Sequence, residues 1–312
     1  MSDDRPLLVI VGNCQAESLR LLLDAGDVRT LRLPALHEMT SADVVALHGL
    51  LSRADLLVAQ PTSDDYRGLP LGTSQLRAVL PPSARVALVP SLRYAGLHPF
   101  HLLVHPPDLD RPDPPVVPYH DIRTVLAADD LRAGRTARAP LGLTSAAVHA
   151  VAAASVGELS RRERAHGTVV VSDLLTRPTA DTMRTINHPG NALLEPVAAR
   201  LRAALGLDAC APAVERPLLT SIHAPLHPEV VAAHGLDVPP TADWTVEWRR
   251  IAPGTVEAAH LAWYRARPEM LDAALARIGP LRELLTADRA ADRTAPRRPG
   301  VSPAARPAGA DE

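Results

Sequence analysis

"LLVIVGNCQAESLRLLL", residues 7–23, decides how the rest of the chain is read. Five apolar residues, Leu7 to Val11, run without a break, as in a short strand covered on both faces. Gly12 permits a tight turn after them. From Ala16 to Ala25, the spacing of Leu19, Leu22 and Leu23 predicts a helix with one apolar stripe. Strand, glycine turn and helix open an α/β sheet, whose ligands sit outside the carboxyl ends of the strands. Cys14 falls at that place, between Asn13 and Gln15.

The rhythm continues outward. "VRTLRL" (28–33), "DLLVAQ" (55–60) and "ARVALVP" (84–90) read as strands. "SADVVALHGLLSRA" (41–54), opened by Ser41 as N-cap, and "TSQLRAVL" (73–80) read as helices. Alternation of this kind predicts an α/β fold with a central, mainly parallel sheet and flanking helices. Residues 91–120, rich in Pro and His, read as a long loop over the strand ends. Helices are expected over 121–134, 144–166 and from about Asn191 to Leu205. "TVVVSDLL" (168–175) and "MRTINHP" (183–189) read as the last strands. Residues 211–250 read as irregular or extended chain, and 254–286 as helices interrupted near Pro268 and Pro280. The division expected is an α/β catalytic domain over 6–210, an extended and helical segment over 211–286, and a disordered tail over 287–312. The tail is Pro, Arg, Ala and Asp with almost no large apolar residue, too little to order itself.

Composition narrows the function. Of 312 residues, 46% are hydrophobic but only 3% aromatic, so the core is aliphatic. The formal charge is −2, without the clustered basic charge of a nucleic-acid binder. All 33 basic residues are arginines. Phosphate must then be held by Arg, His, hydroxyls or backbone N–H groups, and Schiff-base or Walker-lysine chemistry is excluded. Two cysteines make no disulfide framework. The N-terminus lacks the basic start and long apolar core of a secretory signal, and no window has the length of a membrane span. The expectation is a cytoplasmic protein with reduced thiols.

Cys14 at a helix start has the logic of a nucleophile elbow, with sulfur for oxygen. The helix N-terminus is expected to lower the thiol pKa, and its N–H groups to hold an oxyanion. Asn13 and Gln15 could donate further hydrogen bonds. On the tetrapeptide alone, a small buried cysteine beside a turn-forming asparagine is the competing reading. Cys210 has no such setting. The base with the best context is His188, with Pro189 suited to the first turn of the next helix. His98, His101 and His105 have suggestive spacing, but Pro99, Pro106 and Pro107 interrupt it, and no metal site is expected.

GNCQ (12–15), "QP" (60–61), "YRGLPLGTSQL" (66–76), "YAGLHP" (94–99) and NHP (187–189), in that order, resemble the WcbI-type polysaccharide-biosynthesis enzymes over roughly residues 6 to 205. Ile186 departs from the pattern, at a position where the family has an aromatic. The resemblance implies a fold distantly like the SGNH hydrolases, a coenzyme A site, and acyl transfer, acetyl first among the choices, to a surface or capsular glycan. It makes Cys14 and His188 the catalytic pair, with Asn13 and Gln15 beside them, and places Gly12, Arg67, Arg93 and Tyr94 at the CoA cleft. With lysine absent, Arg67, Arg77, Arg93 and Arg184 are the arginines available to CoA phosphates. Asp181 or Asp121 could orient His188, and His120 or His98 could replace it as base. The expected partners are acyl-CoA, the glycan and other glycan-biosynthesis enzymes. Two further readings use the same residues: a thiol esterase on this scaffold, and a non-catalytic CoA-binding module of a glycan-assembly complex.

Overall fold

The structure is a computed structural model that describes residues 4–106, 113–136, 141–209 and 214–294, with the backbone alone over 287–294. Its centre is a four-stranded sheet, all parallel, in the order β2-β1-β3-β4. The strands are β1 (Leu7–Val11), β2 (Arg29–Thr30), β3 (Leu56–Ala59) and β4 (Arg85–Leu88). Leu8 pairs with Leu56 and Val11 with Ala59, so β1 and β3 end level.

The unbroken apolar run of β1 has a direct cause. Leu8 and Ile10 face one core, with Leu19, Leu22 and Leu23 of α1 (Gln15–Leu23), Val148 of α5 (Ser145–His166) and Leu194 and Leu201 of α6 (Asn191–Ala204). Leu7, Val9 and Val11 face the other, with Val44, Leu47 and Leu51 of α2 (Ser41–Leu51) and Leu76 of α3 (Thr73–Val79). Each fully buried Leu or Val of this kind contributes about 1.5–3 kcal/mol. The N-cap of α2 is Thr40, not Ser41: Thr40 and Asp43 form a reciprocal capping box.

A third core joins the C-terminal helices to the sheet unit. Ile122 and Val125 of α4 (Ile122–Arg132) and Val151 of α5 pack with Tyr264 of α8 (Pro253–Ala266) and with Met270, Leu271 and Ile278 of α9 (Pro268–Thr294). The chain breaks at Pro268 as expected, but α9 runs through Pro280 and on to Thr294, eight residues into the stretch read as tail. Its apolar stripe docks on α4 and α5, which fixes the helix despite the proline. The rest of the expected tail, and Cys210, lie outside the described residues.

Two expected strands are absent. Residues 168–171 lie extended beside the sheet, with one bond from Val169 N–H to Leu88 O at 2.8 Å. The buried Glu163 carboxylate then captures the N–H groups of Val171 (2.7 Å) and Ser172 (2.8 Å), diverting the chain into a turn. Residues 183–189 form a closed loop with a single bridge, Met183 to Pro189. Residues 214–250 are more regular than expected: β7 (Ile222–His223), β8 (Trp244–Val246) and β9 (Arg249–Ile251) make a small antiparallel sheet, with α7 (Pro228–His234) between β7 and β8. A two-stranded pair, β5 (His101–Leu102) and β6 (His120–Asp121), lies within the Pro- and His-rich loop. No helix among the described residues is long and apolar enough to cross a membrane.

Candidate active site

The strand order reverses direction between β1 and β3, and ligands of open α/β sheets bind at such a switch point. Gly12–Cys14 leaves the end of β1, Gln60 the end of β3, and Ser91–Arg93 follows β4. Cys14 is the N-cap residue of α1 and half-buried. Gly12 is required here: a Cβ on it would stand 2.8 Å from Gln60 Oε1.

Amides tie these loops together. Gln60 Oε1 accepts from Asn13 N–H (2.8 Å), and Gln60 Nε2 donates to Gln15 Oε1 (3.0 Å). The fully buried Gln15 side chain also accepts from Leu92 N–H (3.0 Å) and donates to Leu92 O (2.8 Å). Asn13 Nδ2 donates to Ser91 Oγ (3.1 Å), and its Oδ1 accepts from Gln15 N–H (2.9 Å). Asn13 and Gln15 therefore build the floor under Cys14, with one amide bond donated by Asn13 Nδ2 and both Nε2 hydrogens of Gln15 engaged.

Gln15 makes one further bond, from Nε2 to Asn187 O at 2.8 Å. The residue after Cys14 thus holds the residue before His188, across 172 positions. The loop carrying His188 is clamped throughout. Arg184 N–H donates to His188 O (2.8 Å), Gly190 N–H to Thr182 O (3.1 Å), Ala224 N–H to Arg184 O (2.8 Å) and Tyr94 N–H to Ile186 O (2.9 Å). Thr185 Oγ1 accepts from His188 N–H (3.1 Å), and Tyr119 OH meets both Thr185 Oγ1 and Asn187 Oδ1 at 2.8 Å. The Tyr119 ring stands edge-on to His188, centroids 6.4 Å apart. Tyr119 had no motif to mark it; only its position beside a predicted loop end was visible.

The electrostatics reverse one expectation. Burial pushes the Cys14 thiol above its ordinary value, aided by Glu38; the backbone N–H groups of Cys14 and Gln15 and the charge of Arg93 oppose this without overcoming it. Burial, with repulsion from His223, takes His188 down to about 4, although the Ile222 backbone supports its charged form. At rest Cys14 is therefore a thiol and His188 a neutral imidazole, the form in which a histidine accepts a proton. Neither carboxylate expected to orient His188 faces it. Asp181 pairs with Arg184 Nη2 (2.8 Å) and caps α6 through Ala192 N–H (3.1 Å). Asp121 caps α4 and grips Arg123 (2.6 Å). His98 has both ring nitrogens on backbone carbonyls, of Pro225 (3.2 Å) and Met183 (3.1 Å), and His120 Nδ1 meets Tyr264 OH (2.5 Å).

The arginines separate into groups. Arg93 and Arg277 line a cavity of about 420 Å3 together with His105. Neither pairs with a carboxylate among the described residues, and Arg93 feels the charge of Arg277. Arg93 also feels Cys14, and Arg162 feels Arg93. Arg67 lies across the rim: its Nη1 donates to His37 O (3.2 Å), in the turn that hydrogen-bonds Gly12 O through Leu36 N–H (2.9 Å). Asp65 and Arg67 both take left-handed backbone angles there (φ 53° and 55°), strain of the kind that collects at functional sites. Arg184 is buried on Asp181, and Arg77 is exposed on α3. Tyr94, expected at the cleft, is instead in the main core, 2% exposed.

Fold and site define an α/β protein with a half-buried thiol after a central strand, in a loop tied through Gln15 to the loop that carries His188. The model of the WcbI polysaccharide biosynthesis enzyme family matches residues 7–209. The chain belongs to that family. A solved structure of WcbI, described as a novel polysaccharide biosynthesis enzyme in its native form without the disulfide bond between coenzyme A and Cys14 of that protein, shares the fold. Its TM-score is 0.70 at 21% identity, covering 93% of this chain and 98% of the other. No curated protein sequence matches the chain.

Proposed function

We propose that this chain is an acyl-CoA-dependent acyltransferase acting on a glycan or glycan precursor, with Cys14 as nucleophile and His188 as base. The bond from Gln15 Nε2 to Asn187 O carries this reading, because it locks the neighbours of both residues into one rim. The WcbI structure's association of coenzyme A with a cysteine supports the choice of co-substrate. So does the local chemistry: Arg93, whose charge reaches Cys14, shares a cavity with Arg277, and two such guanidinium groups suit phosphate groups.

His188 takes the Cys14 proton as Sγ attacks the thioester carbonyl. The C–S bond to the leaving thiol breaks, and His188 returns the proton to that sulfur. The acyl group now rests on Cys14. His188 then takes the proton of a sugar hydroxyl, whose oxygen attacks the acyl-cysteine, and the proton ends on the Cys14 sulfur. Exchange of one thioester for another is nearly balanced, so the first half runs either way. The amide floor of Asn13, Gln15 and Gln60 holds Cys14 still during both steps.

Titration calorimetry tests the co-substrate. The double variant Arg93→Ala, Arg277→Ala is expected to weaken CoA at least about tenfold, as for two charge-assisted contacts. Both side chains are on the cavity rim, so the melting temperature should hold. Unchanged affinity, or no CoA binding by the unmodified protein, contradicts the proposal.

A further inference from the structure

The N–H groups at the start of α1, expected to hold an oxyanion beside Cys14, are already engaged. Gln15 N–H donates to Asn13 Oδ1 (2.9 Å), and Ala16 N–H to Asn13 O (2.9 Å). The N–H after the nucleophile is the usual oxyanion donor of an elbow, and here it has a partner. The Cys14 N–H supports its own sulfur. The side-chain amide of Gln15 is committed to Leu92 O and Asn187 O (2.8 Å each), and Asn13 Nδ2 is anchored on Ser91 Oγ (3.1 Å).

The facing loop supplies a freer donor. Asn187, the residue before His188, is half-buried, and its main-chain oxygen is held by Gln15, the residue after Cys14. Two hydroxyls converge on its Oδ1, Tyr119 OH at 2.8 Å and Thr185 Oγ1 at 3.1 Å. They satisfy the oxygen and turn the amide nitrogen away from them. Nδ2 has no hydrogen-bond partner among the described residues, and it is reachable from solvent. The amide is also close to the sulfur: Tyr119, whose hydroxyl meets Oδ1, feels the charge of Cys14. A donor oriented in advance by two hydroxyls needs no reorganisation when charge develops in front of it.

We propose that Asn187 is a third catalytic residue, whose Nδ2 donates to the acyl carbonyl oxygen while Cys14 attacks. As the Sγ–C bond forms, the carbonyl π pair moves onto that oxygen, and the N–H bond from Asn187 stabilises the charge. The pair then returns to the carbon as the C–S bond to the leaving thiol breaks. Asn187 gives up no proton. The same bond serves again when the sugar oxygen attacks the acyl-cysteine. This role rests on the acyl-transfer reading above.

Two reactions of Cys14 in the full chain test it. Acylation by acetyl-CoA passes through a negative oxygen; alkylation by iodoacetamide uses the same sulfur and forms none. Asn187→Ala is expected to slow acylation about 10²–10³-fold, the loss typical of a removed oxyanion donor, and to leave alkylation and CoA affinity unchanged. Alanine leaves Tyr119 OH and Thr185 Oγ1 facing each other at 2.8 Å, so the loop should hold. Asn187→Asp keeps an oxygen for both hydroxyls but puts a second oxygen where the donor was, and should lose acylation at least as far. Acylation within about tenfold of the unmodified rate in a folded variant overturns the proposal, as does equal slowing of the two reactions, the mark of a displaced loop. If Asn187→Ala melts early, Asn187→Asp decides by the same criteria. An unmodified protein whose Cys14 is never acylated overturns the acyl-transfer reading and this role with it. Acylation that persists in the variants overturns this role alone.

Discussion

Replacing Cys14 with alanine is expected to lower acyl transfer by at least about 10³-fold, the loss typical of a removed nucleophile. His188→Ala should cost a comparable factor, and the double variant little more, because the two act in one step. Cys14 is half-buried at the start of α1 and its side chain does not cap the helix, so CoA affinity and melting temperature should be retained. Initial rates of CoA release, read with a thiol reagent in the presence of glycan acceptor, report the effect. His188 keeps its neutral form down to about 4, so the unmodified rate should not fall between pH 7 and 5.5 through this group. A Cys14→Ala protein with more than a tenth of the original rate would contradict the assignment.

Acid should unfold the protein steeply. Burial holds His98 to about 4, His101 to about 3 and His188 to about 4, all below the 6.5 of an unfolded histidine. Between those values the unfolded chain binds more protons than the native one, so stability rises with pH there and is lost as pH falls. The contribution is complete above about 6.5 and gone below about 3. Three such groups together are worth several kcal/mol at pH 4, a large share of the about 5–15 kcal/mol that holds a domain. Melting temperatures across pH 7.5 to 4 should stay level at first and then drop by tens of degrees. A single replacement, His101→Phe, should flatten part of the drop, since it keeps a ring against Trp244 and removes one proton site. A melting temperature independent of pH over this range would contradict the burial of these rings.

Much of the sheet was legible because β1, β3 and β4 are local apolar runs and α1 follows a glycine turn. The position of Cys14 at the start of α1 was legible for the same reason, since it follows a strand and a glycine turn. Residues 183–189 read as a strand because Met183 and Ile186 are apolar, yet these are buried as parts of a clamped loop, held by backbone bonds from Tyr94, Ala224 and Gly190. Local pattern cannot distinguish burial in a ladder from burial in a loop. The run at 168–171 failed similarly, since Glu163, eight residues upstream of Val171, takes its N–H groups. The site's other builders come from far along the chain. Gln60 stands 45 residues from Gln15, and Arg277 sits on a helix docked through contacts with α4 and α5. Nothing local marks Gln60 as a partner of Asn13 and Gln15, or Arg277 as a neighbour of Arg93. The lowered thiol pKa expected at a helix start was outweighed by burial, and burial is a property of the packed fold.

The central claim is that an acyl group rests on Cys14 between donor and acceptor. Its most direct test is the mass of the intact protein after brief incubation with acetyl-CoA without acceptor, quenched in acid and followed by peptide mapping. The account predicts one added acetyl group on the peptide containing Cys14, absent in Cys14→Ala, much slower to form in His188→Ala, and lost when glycan acceptor is added before the quench. An unmodified Cys14 at every time point, in a protein that still transfers acetyl to glycan, would contradict it.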